Sequence, residues 1–106
     1  MLIITKNLAN EILNLINSKI SSAQIITDQA TRNILITNKT IIDNTEANEI
    51  LLNIELYRSE EVSETLTEIK FFDNANNLVL KSTGLNVNLP SVKVSFICQI
   101  KLVYST

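Results

Sequence analysis

The most regular pattern in the chain is VKVSFICQIKLVY, residues Val92–Tyr104. Large apolar side chains fill every second position, and most of the positions between them are polar or charged. This is the spacing of a β-strand, whose successive side chains point to opposite faces of a sheet, and it does not fit the 3.6-residue period of a helix. Burial of these side chains at about 1.5–3 kcal/mol each would contribute on the order of 10 kcal/mol before entropy. We therefore expect this strand to lie in the centre of a sheet.

Two earlier segments alternate in a similar way. Residues Ile50–Tyr57 place a large apolar side chain at every even position, which predicts a strand with one apolar face and one mixed face. Residues Val62–Asp73 also alternate, but their apolar positions change parity in the middle of the segment. An extra residue in one strand shifts the parity in this way, so we expect a β-bulge near Thr67 or Glu68.

Segments rich in Asn and Asp predict the turns between strands. The chain has one glycine, so turns that require a positive φ must use Asn or Asp. Asn38-Lys39 is interpreted as the turn of a tight hairpin between Ile34–Thr37 and Thr40–Asp43. The other predicted strands are Lys19–Thr27, Leu78–Thr83 and a short extended piece between Gly84 and Pro90, and the other predicted loops and turns are Asp28–Asn33, Asp43–Glu46, Arg58–Glu61 and Asp73–Asn77.

One segment, Lys6–Ser18, has the period of an amphipathic helix. Thr5 precedes it and is a suitable N-cap, because its hydroxyl oxygen can accept a hydrogen bond from an early helical N–H group. Four apolar side chains form a predicted stripe along one side of the helix, which Ala9 and Leu13 widen: Leu8, Ile12, Leu15 and Ile16. We expect this stripe to pack on a face of the sheet.

The order of these elements predicts the fold class. A helix at about residues 6–18 precedes a β-rich region, residues 19–106, with roughly seven or eight strands and short turns. The chain has 106 residues, enough for one core, so residues 1–106 are predicted to form a single domain. We predict a mainly β fold, either an antiparallel β-sandwich or a partly closed barrel, with one N-terminal α-helix.

Composition argues against several kinds of partner. The net charge is −2 and the 9 Lys and Arg residues are dispersed, whereas proteins that follow a phosphate backbone cluster their positive charge. We therefore expect no nucleic-acid partner. No segment approaches the ~20 apolar residues that span a bilayer, and the apolar run at the N-terminus is too short for a signal peptide. We expect no membrane partner, and a cytoplasmic location when the protein is synthesised.

The sequence lacks the usual catalytic motifs. It has no histidine, and its single glycine excludes phosphate-binding and dinucleotide-binding loops, which use several. The sole cysteine, Cys98, can form neither an intramolecular disulfide nor a thiolate cage for a metal, and we expect it to be an inert core thiol. We predict no enzyme activity, no catalytic residues, no cofactor and no metal site.

Acidic side chains are the remaining candidates for chemistry. Glu55, or one of the two glutamates Glu64 and Glu68 on a later strand, could pair with Asp73 as the acid and base of a glycosidase. The segment Asp73–Asn77 also shares two positions with a calcium-binding loop. A simpler interpretation places the two glutamates on the solvated face of a strand and makes Asp73–Asn77 a hairpin turn.

Apolar residues also occupy strand faces that should point outward. Five of them are candidate interface residues: Leu51, Tyr57, Phe72, Ile97 and Val103. Apolar side chains on both faces of a strand predict that something covers the second face, either the helix or another subunit. Because one helix can cover only one such patch, the pattern favours a homo-oligomer.

The segment TEIKFFD, Thr67–Asp73, followed by Leu78-Val79-Leu80, resembles a segment of bacteriophage tail and baseplate proteins of the tail-collar or tail-fibre type. The resemblance implies a non-enzymatic structural or assembly subunit of a phage or prophage tail. Such a subunit would associate with itself and with other virion or tail proteins, and would be incorporated in a virion.

A second function remains open from the residues themselves, a small β-sandwich module that binds a carbohydrate or a peptide. Sugar-binding sites commonly use aromatic rings as stacking surfaces. The chain contains 5% aromatic residues and no Trp, which argues against a carbohydrate.

Overall fold

The computed structural model describes residues 2–105. They form one α-helix and seven β-strands: α1 (Lys6–Lys19), β1 (Ser22–Thr27), β2 (Thr31–Asn44), β3 (Glu49–Arg58), β4 (Glu64–Phe72), β5 (Leu78–Ser82), β6 (Val87–Leu89) and β7 (Val94–Val103). A short 3₁₀ turn, Thr45–Ala47, joins β2 to β3. All strand pairs are antiparallel, in the order β5-β4-β1-β2-β3-β7, and β6 pairs with β4 next to β5.

The sheet curls into a half-barrel. Its two edges are β7 on one side and the short strands β5 and β6 on the other. The predicted fold class is thus confirmed, and of the two predicted arrangements the structure adopts the partly closed barrel.

The inner face of the half-barrel carries the core. On β3 the even-numbered side chains from Ile50 to Leu56 are at most 2% exposed, as their alternation predicts. Neighbouring strands and the helix add to the same cluster, with Ala9, Leu13, Ala23, Ile25, Leu66, Ile69 and Phe71 among its members. The core therefore lies between the curled sheet and α1.

The helix forms where the sequence predicts it, and part of its predicted apolar stripe faces the core. Thr5 Oγ1 accepts a hydrogen bond from the N–H of Leu8 (3.2 Å), so the predicted N-cap is confirmed. The buried residues are Ala9 and Leu13, whereas Leu8 and Leu15 of the predicted stripe are 48% and 59% exposed. The predicted stripe is therefore confirmed in part: Ala9 and Leu13 are buried and Ile16 packs against the core, whereas Leu8 and Leu15 face solvent.

Strand β7 is regular, as predicted, but its predicted central position is wrong. It pairs with β3 from Val94 to Val103 and ends the sheet. Its inward side chains are half-buried and its outward ones exposed. Alternation of polarity reports that one face of a strand is covered, but it carries no information on whether both edges are hydrogen-bonded.

The hairpin predicted at Asn38-Lys39 is also wrong, because β2 is one continuous strand of 14 residues. Asn38 and Lys39 pair with Glu55 and Ile54 of β3, and the register skips Thr37, which forms a bulge. The chain turns elsewhere, at the left-handed residues Asn48 and Asn76. The loop predicted at Asp28–Asn33 is shorter than expected, since β2 begins at Thr31.

Lys39 has a structural role that explains its inward position. Its Nζ donates hydrogen bonds to the backbone oxygens of Asn17 (2.8 Å) and Ile20 (2.7 Å) at the end of α1. A positive charge at this end of a helix is favourable, because the unpaired carbonyl groups there carry partial negative charge. At the other end, Lys6 forms an ion pair with Asp43 (2.7 Å). These two lysines attach both ends of α1 to β2.

The β-bulge predicted in the fourth strand is confirmed. Ile26 pairs with Glu68 and Thr27 pairs with Leu66, so Thr67 has no opposite residue on β1. The Thr67 hydroxyl donates to the Ile26 carbonyl oxygen (3.0 Å). The bulge keeps Leu66 and Ile69 both on the inner face, although their parity differs.

In the part of the chain that the structure describes, α1 falls short of the length and apolar character that a bilayer-spanning helix requires.

Candidate functional site

An open cleft separates the two edges of the half-barrel. It has a volume of about 570 Å³, and its walls come from β7 on one side and from β5, β6 and the segment between them on the other. The side chains at its base are those of Ile54, Leu66, Ile69 and Phe71. The lining is mainly apolar, and the polar residues along it are Lys81, Ser82, Asn88 and Gln99; the Gln99 side chain itself is directed to the outer face of the sheet, where it bonds Asn53. We refer to this space as the cleft.

The rim of the cleft formed by β7 offers unpaired backbone groups. One side of β7 is bonded to β3, and among residues 2–105 no strand pairs with the other side. The N–H of Ser105 donates to the carbonyl oxygen of Ile4 (2.9 Å), so the N-terminal segment covers the edge just beyond Tyr104. The open stretch, Val94–Val103, is called the free edge below. Such an edge can receive another β-strand.

Four of the five candidate interface residues lie on the outer face of the neighbouring strands β3 and β7. Ile97 and Val103 are each 58% exposed and stand opposite Glu55 and Glu49 of β3. Leu51 and Tyr57 are half-buried. The fifth residue, Phe72, pairs with Ser22 and Leu78 at the far side of the sheet and does not join the other four.

The structure adds two residues to this outer face that the sequence analysis did not single out. Leu35 lies opposite Tyr57, and Ile42 lies opposite Leu51; both are exposed. They were missed because the predicted hairpin separated them from β3. Polar pairs interrupt the surface, notably Gln99 Nε2 donating to Asn53 Oδ1 (2.9 Å). The outer face is therefore a set of small apolar groups instead of one continuous patch.

A buried ionic cluster lies where β3 ends and β4 begins. Glu64 of β4 accepts hydrogen bonds from Arg32 Nε (2.9 Å to Oε1) and Arg32 Nη2 (2.9 Å to Oε2). Arg58 Nη2 lies 3.4 Å from the same Oε1, and neither side chain of this second pair is exposed to solvent. The hydrogen bonds from Arg32 hold the pKa of the Glu64 carboxyl below its ordinary value, although burial opposes the shift. Glu64 is thus a buried anion between two cations.

Arg58 extends this cluster to the loops. Its Nη1 donates to the backbone oxygen of Pro90 (2.7 Å), and its Nη2 donates to the backbone oxygen of Val62. Its Nε is buried without a hydrogen-bond partner within residues 2–105. Arg58 was expected in a turn, and Glu64 on a solvated face. Both expectations were wrong, although each residue shares its parity with a core residue, Leu56 or Leu66.

The acidic residues considered for catalysis do not converge. Glu64 points inward and its oxygens are occupied by arginines, whereas Glu68, beyond the bulge, is not on that face. Asp73 Oδ1 accepts hydrogen bonds from the N–H groups of Ala75 and Asn77 (2.9 Å each), which hold its pKa below the ordinary value. The predicted hairpin turn is confirmed there. In the described residues no group of three His, Cys, Asp or Glu side chains could hold a metal ion.

Cys98 lies in the β7 wall of the cleft. The thiol is half-buried, and burial raises its pKa to about 11. Because the thiolate is the nucleophilic form, the group is a weak nucleophile at neutral pH.

Comparison with known proteins gives no relative: no family model, no curated protein and no solved structure matches the chain.

Proposed function

We propose that this protein is a non-enzymatic assembly subunit that associates with itself. The observation that carries the proposal is the free edge of β7, which lies beside an apolar cleft and has exposed Ile97 and Val103 on its outer face. Monomeric β proteins commonly shorten, charge or cover such edges, because an open edge pairs with other chains. Covering the edge and the cleft in an assembly would remove this exposed surface from water.

The resemblance of Thr67–Leu80 to phage tail proteins supports a more specific proposal, a subunit of a phage or prophage tail. In the fold this segment forms the second half of β4, the Asp73–Asn77 turn and the start of β5. It therefore lies at the edge opposite β7. A subunit with one contact surface at each edge could bind its own kind through β7 and other virion or tail proteins through the β4–β5 hairpin.

Native mass spectrometry and light scattering over a range of micromolar concentrations test self-association. We expect a defined oligomer whose population rises with concentration. A chain that remains monomeric at every concentration would overturn the proposal. For the tail assignment, the genes next to this one provide the test: we expect tail or baseplate genes, and a neighbourhood without any phage gene would contradict it.

The cleft favours a second candidate function, a module that binds an extended apolar peptide. The lining combines apolar side chains with an unpaired backbone edge, which is how strand-addition sites hold peptides, and it offers few polar groups for a sugar. An array of apolar ten-residue peptides would test this function. A strictly monomeric protein that binds one of them selectively would support it over self-association, and an array without binding would exclude it.

A further inference from the structure

We infer that two copies of the chain pair through β7, antiparallel and around a two-fold axis at Ile100, so that Ile97 of each copy lies opposite Val103 of the other. This inference rests on the self-association proposed above and adds its contact surface and register. It concerns a second copy of the same chain as the occupant of the free edge.

The free edge of β7 is the longer of the two sheet edges. β7 has ten residues, whereas β5 and β6 at the other edge have five and three. Its register with β3 runs from Val94 to Val103 without a bulge, and the segment contains no proline. A lysine such as Lys101 makes an edge strand less prone to pair with another chain, and so do three further features, namely bulges, prolines and short length. β7 has none of these three.

The side chains of β7 restrict how two copies can pair. Residues that stand opposite each other in an antiparallel pair point to the same face. If both half-barrels keep their inner faces on one side of a continuous sheet, an outward residue must meet an outward residue. Only registers that place the two-fold axis at a single residue satisfy this condition.

With the axis at Ile100, the polarity of the two strands matches on both faces. On the outer face Ile97 meets Val103 and Gln99 meets Lys101, and symmetry repeats each pair. On the inner face Cys98 meets Leu102, and Ile100 meets its own copy. Ile97 and Val103 are the two most exposed apolar side chains of the strand, at 58% each. The register brings both of them into contact.

Neighbouring registers do not match. An axis at Gln99 sets Ile97 opposite Lys101 and Val103 opposite Ser95. An axis at Lys101 sets two lysines opposite each other, which is unfavourable. An axis at Cys98 sets Ile97 opposite Gln99 and leaves Val103 opposite Lys93.

One more register, with the axis at Ile97, places this residue opposite Ile97 of the other copy. It also places Lys93 opposite Lys101 and leaves Val103 opposite Ser91, before the start of the strand. The bond between Ser105 and Ile4 covers the edge beyond Tyr104, which limits the inferred pairing to about seven residues, Ile97–Val103. This is a usual length for paired strands.

Cysteine crosslinking tests the register. In a Cys98→Ser background, the double variant Ile97→Cys/Val103→Cys should form a disulfide-linked dimer on mild oxidation, because opposite Cα atoms in antiparallel strands are about 4.5–5.5 Å apart, within the range of disulfides. The two cysteines of one copy are six residues apart on an extended strand, about 20 Å, and cannot join. The single variant Ile97→Cys should not crosslink, since its copies lie equally far apart. The double variant Ile97→Cys/Lys101→Cys reports the register with its axis at Gln99 and should not crosslink either.

Charge substitution provides a second test that does not depend on oxidation. Ile97→Lys should weaken dimerisation about tenfold or more, because it removes two apolar cross-strand pairs per dimer. The matched control is Leu35→Lys, which changes an equally exposed leucine of β2 that the inferred pairing leaves uncovered. Both side chains are exposed, so neither change should prevent folding.

The outcomes separate this inference from the proposed function. The pairing is supported if Ile97→Cys/Val103→Cys is the one cysteine variant of the three that crosslinks, and if Ile97→Lys weakens the dimer. An oligomer that persists while this double variant fails to crosslink and Ile97→Lys has no effect overturns the inference and leaves self-association standing. A monomer at all concentrations overturns both.

Discussion

Arg58 and Glu64 are charged residues in inward positions of successive strands, and together they link three parts of the chain. Arg58 belongs to β3, Glu64 to β4, and the backbone oxygen of Pro90 that Arg58 binds belongs to the segment before β7. A buried ion pair is not by itself strongly stabilising, because both charges lose their hydration. Removing one partner, however, leaves the other charge buried without compensation, so the cluster is sensitive to single substitutions.

Glu64→Gln should lower the free energy of unfolding by about 3 kcal/mol at neutral pH, because Arg58 would remain buried without its counter-charge. Urea denaturation followed by circular dichroism measures this. The matched control is Glu68→Gln on the same strand, for which no hydrogen bond or ion pair is found within residues 2–105; it should stay within about 0.5 kcal/mol of the wild type. Equal losses in the two variants would contradict the role of the cluster.

The same comparison has a defined pH dependence. The pKa of Glu64 is lower in the folded protein than its ordinary value of 4.5, so its contribution is fully present above pH 4.5 and is lost as the pH falls through the folded-state pKa. The difference in stability between the wild type and Glu64→Gln should therefore be largest above pH 4.5 and shrink below it. Asp73, whose pKa is also lowered, is present in both proteins and cancels. A difference that does not change with pH would exclude ionised Glu64 as the cause.

The sequence pattern contains a signal for the Arg58–Glu64 ion pair, although we did not predict the pair. Glu64 has the parity of Leu66, and Arg58 has the parity of Leu56, so each stands where its strand places core residues. Opposite charges at inward positions of two successive strands are a usable signal for a buried pair. Which arginine completes the bidentate contact could not be predicted, because Arg32 comes from β2, and its approach depends on the curl of the whole sheet.

At the scale of elements, α1 shows why a hydrophobic period can fail to identify the buried side. Apolar residues occupy positions 8, 9, 12, 13, 15 and 16, so the apolar part of the helix is wide. Within it, the contact with the sheet is made around Ala9 and Leu13. The choice depends on how closely the helix approaches β3, which is a property of the packed molecule.

Leu13→Ala should therefore lower the free energy of unfolding by about 2–5 kcal/mol, the usual cost of truncating a fully buried leucine. Leu15→Ala on the same helix is the matched control and should change it by less than about 0.5 kcal/mol, because Leu15 is exposed. Chemical denaturation measures both. A larger loss for Leu15→Ala than for Leu13→Ala would show that the helix is rotated about its axis.

The strands differ in how far they could be predicted. The bulge at Thr67 followed from a parity change inside one apolar pattern, which is local information. The conformation of Asn38-Lys39, in contrast, depends on residues distant in sequence. These residues suit a turn, but β3 offers them partners, and Lys39 binds the end of α1. Long-range pairing therefore decided the conformation of a segment whose own preference was for a hairpin.

At the scale of the whole molecule, strand order was the property that the sequence could not provide. The strong alternation of β7 predicts a strand with one covered face, and the structure agrees with that part. Its place at the edge depends on the connection after β6, which carries the chain across to β3. β7 thereby pairs with a strand that is distant in sequence. The cleft has the same origin, since it exists only because β7 and the β5–β6 edge do not meet.

Cys98 provides a probe of this open side. It is the single cysteine and lines the cleft beside the free edge, so pairing of β7 with another copy should shield it. Alkylation by iodoacetamide at alkaline pH, where more of the thiol is ionised, should slow as the protein concentration rises. In the Ile97→Lys variant the same slowing should require a protein concentration about tenfold higher or more. A dimeric wild type whose alkylation rate is the same at all concentrations would show that association takes place elsewhere.

Arg58 holds two loops through oxygen atoms that every amino acid possesses. Substitutions at positions 62 and 90 can therefore accumulate over evolutionary time without loss of these bonds, as long as the chain keeps its path. Position 58 has no such freedom, because lysine replaces a planar fork of donors with a single nitrogen. Among divergent descendants of a common ancestor, an arginine at this site together with an acid at position 64 should outlast most other identities, and could reveal kinship where overall similarity has faded.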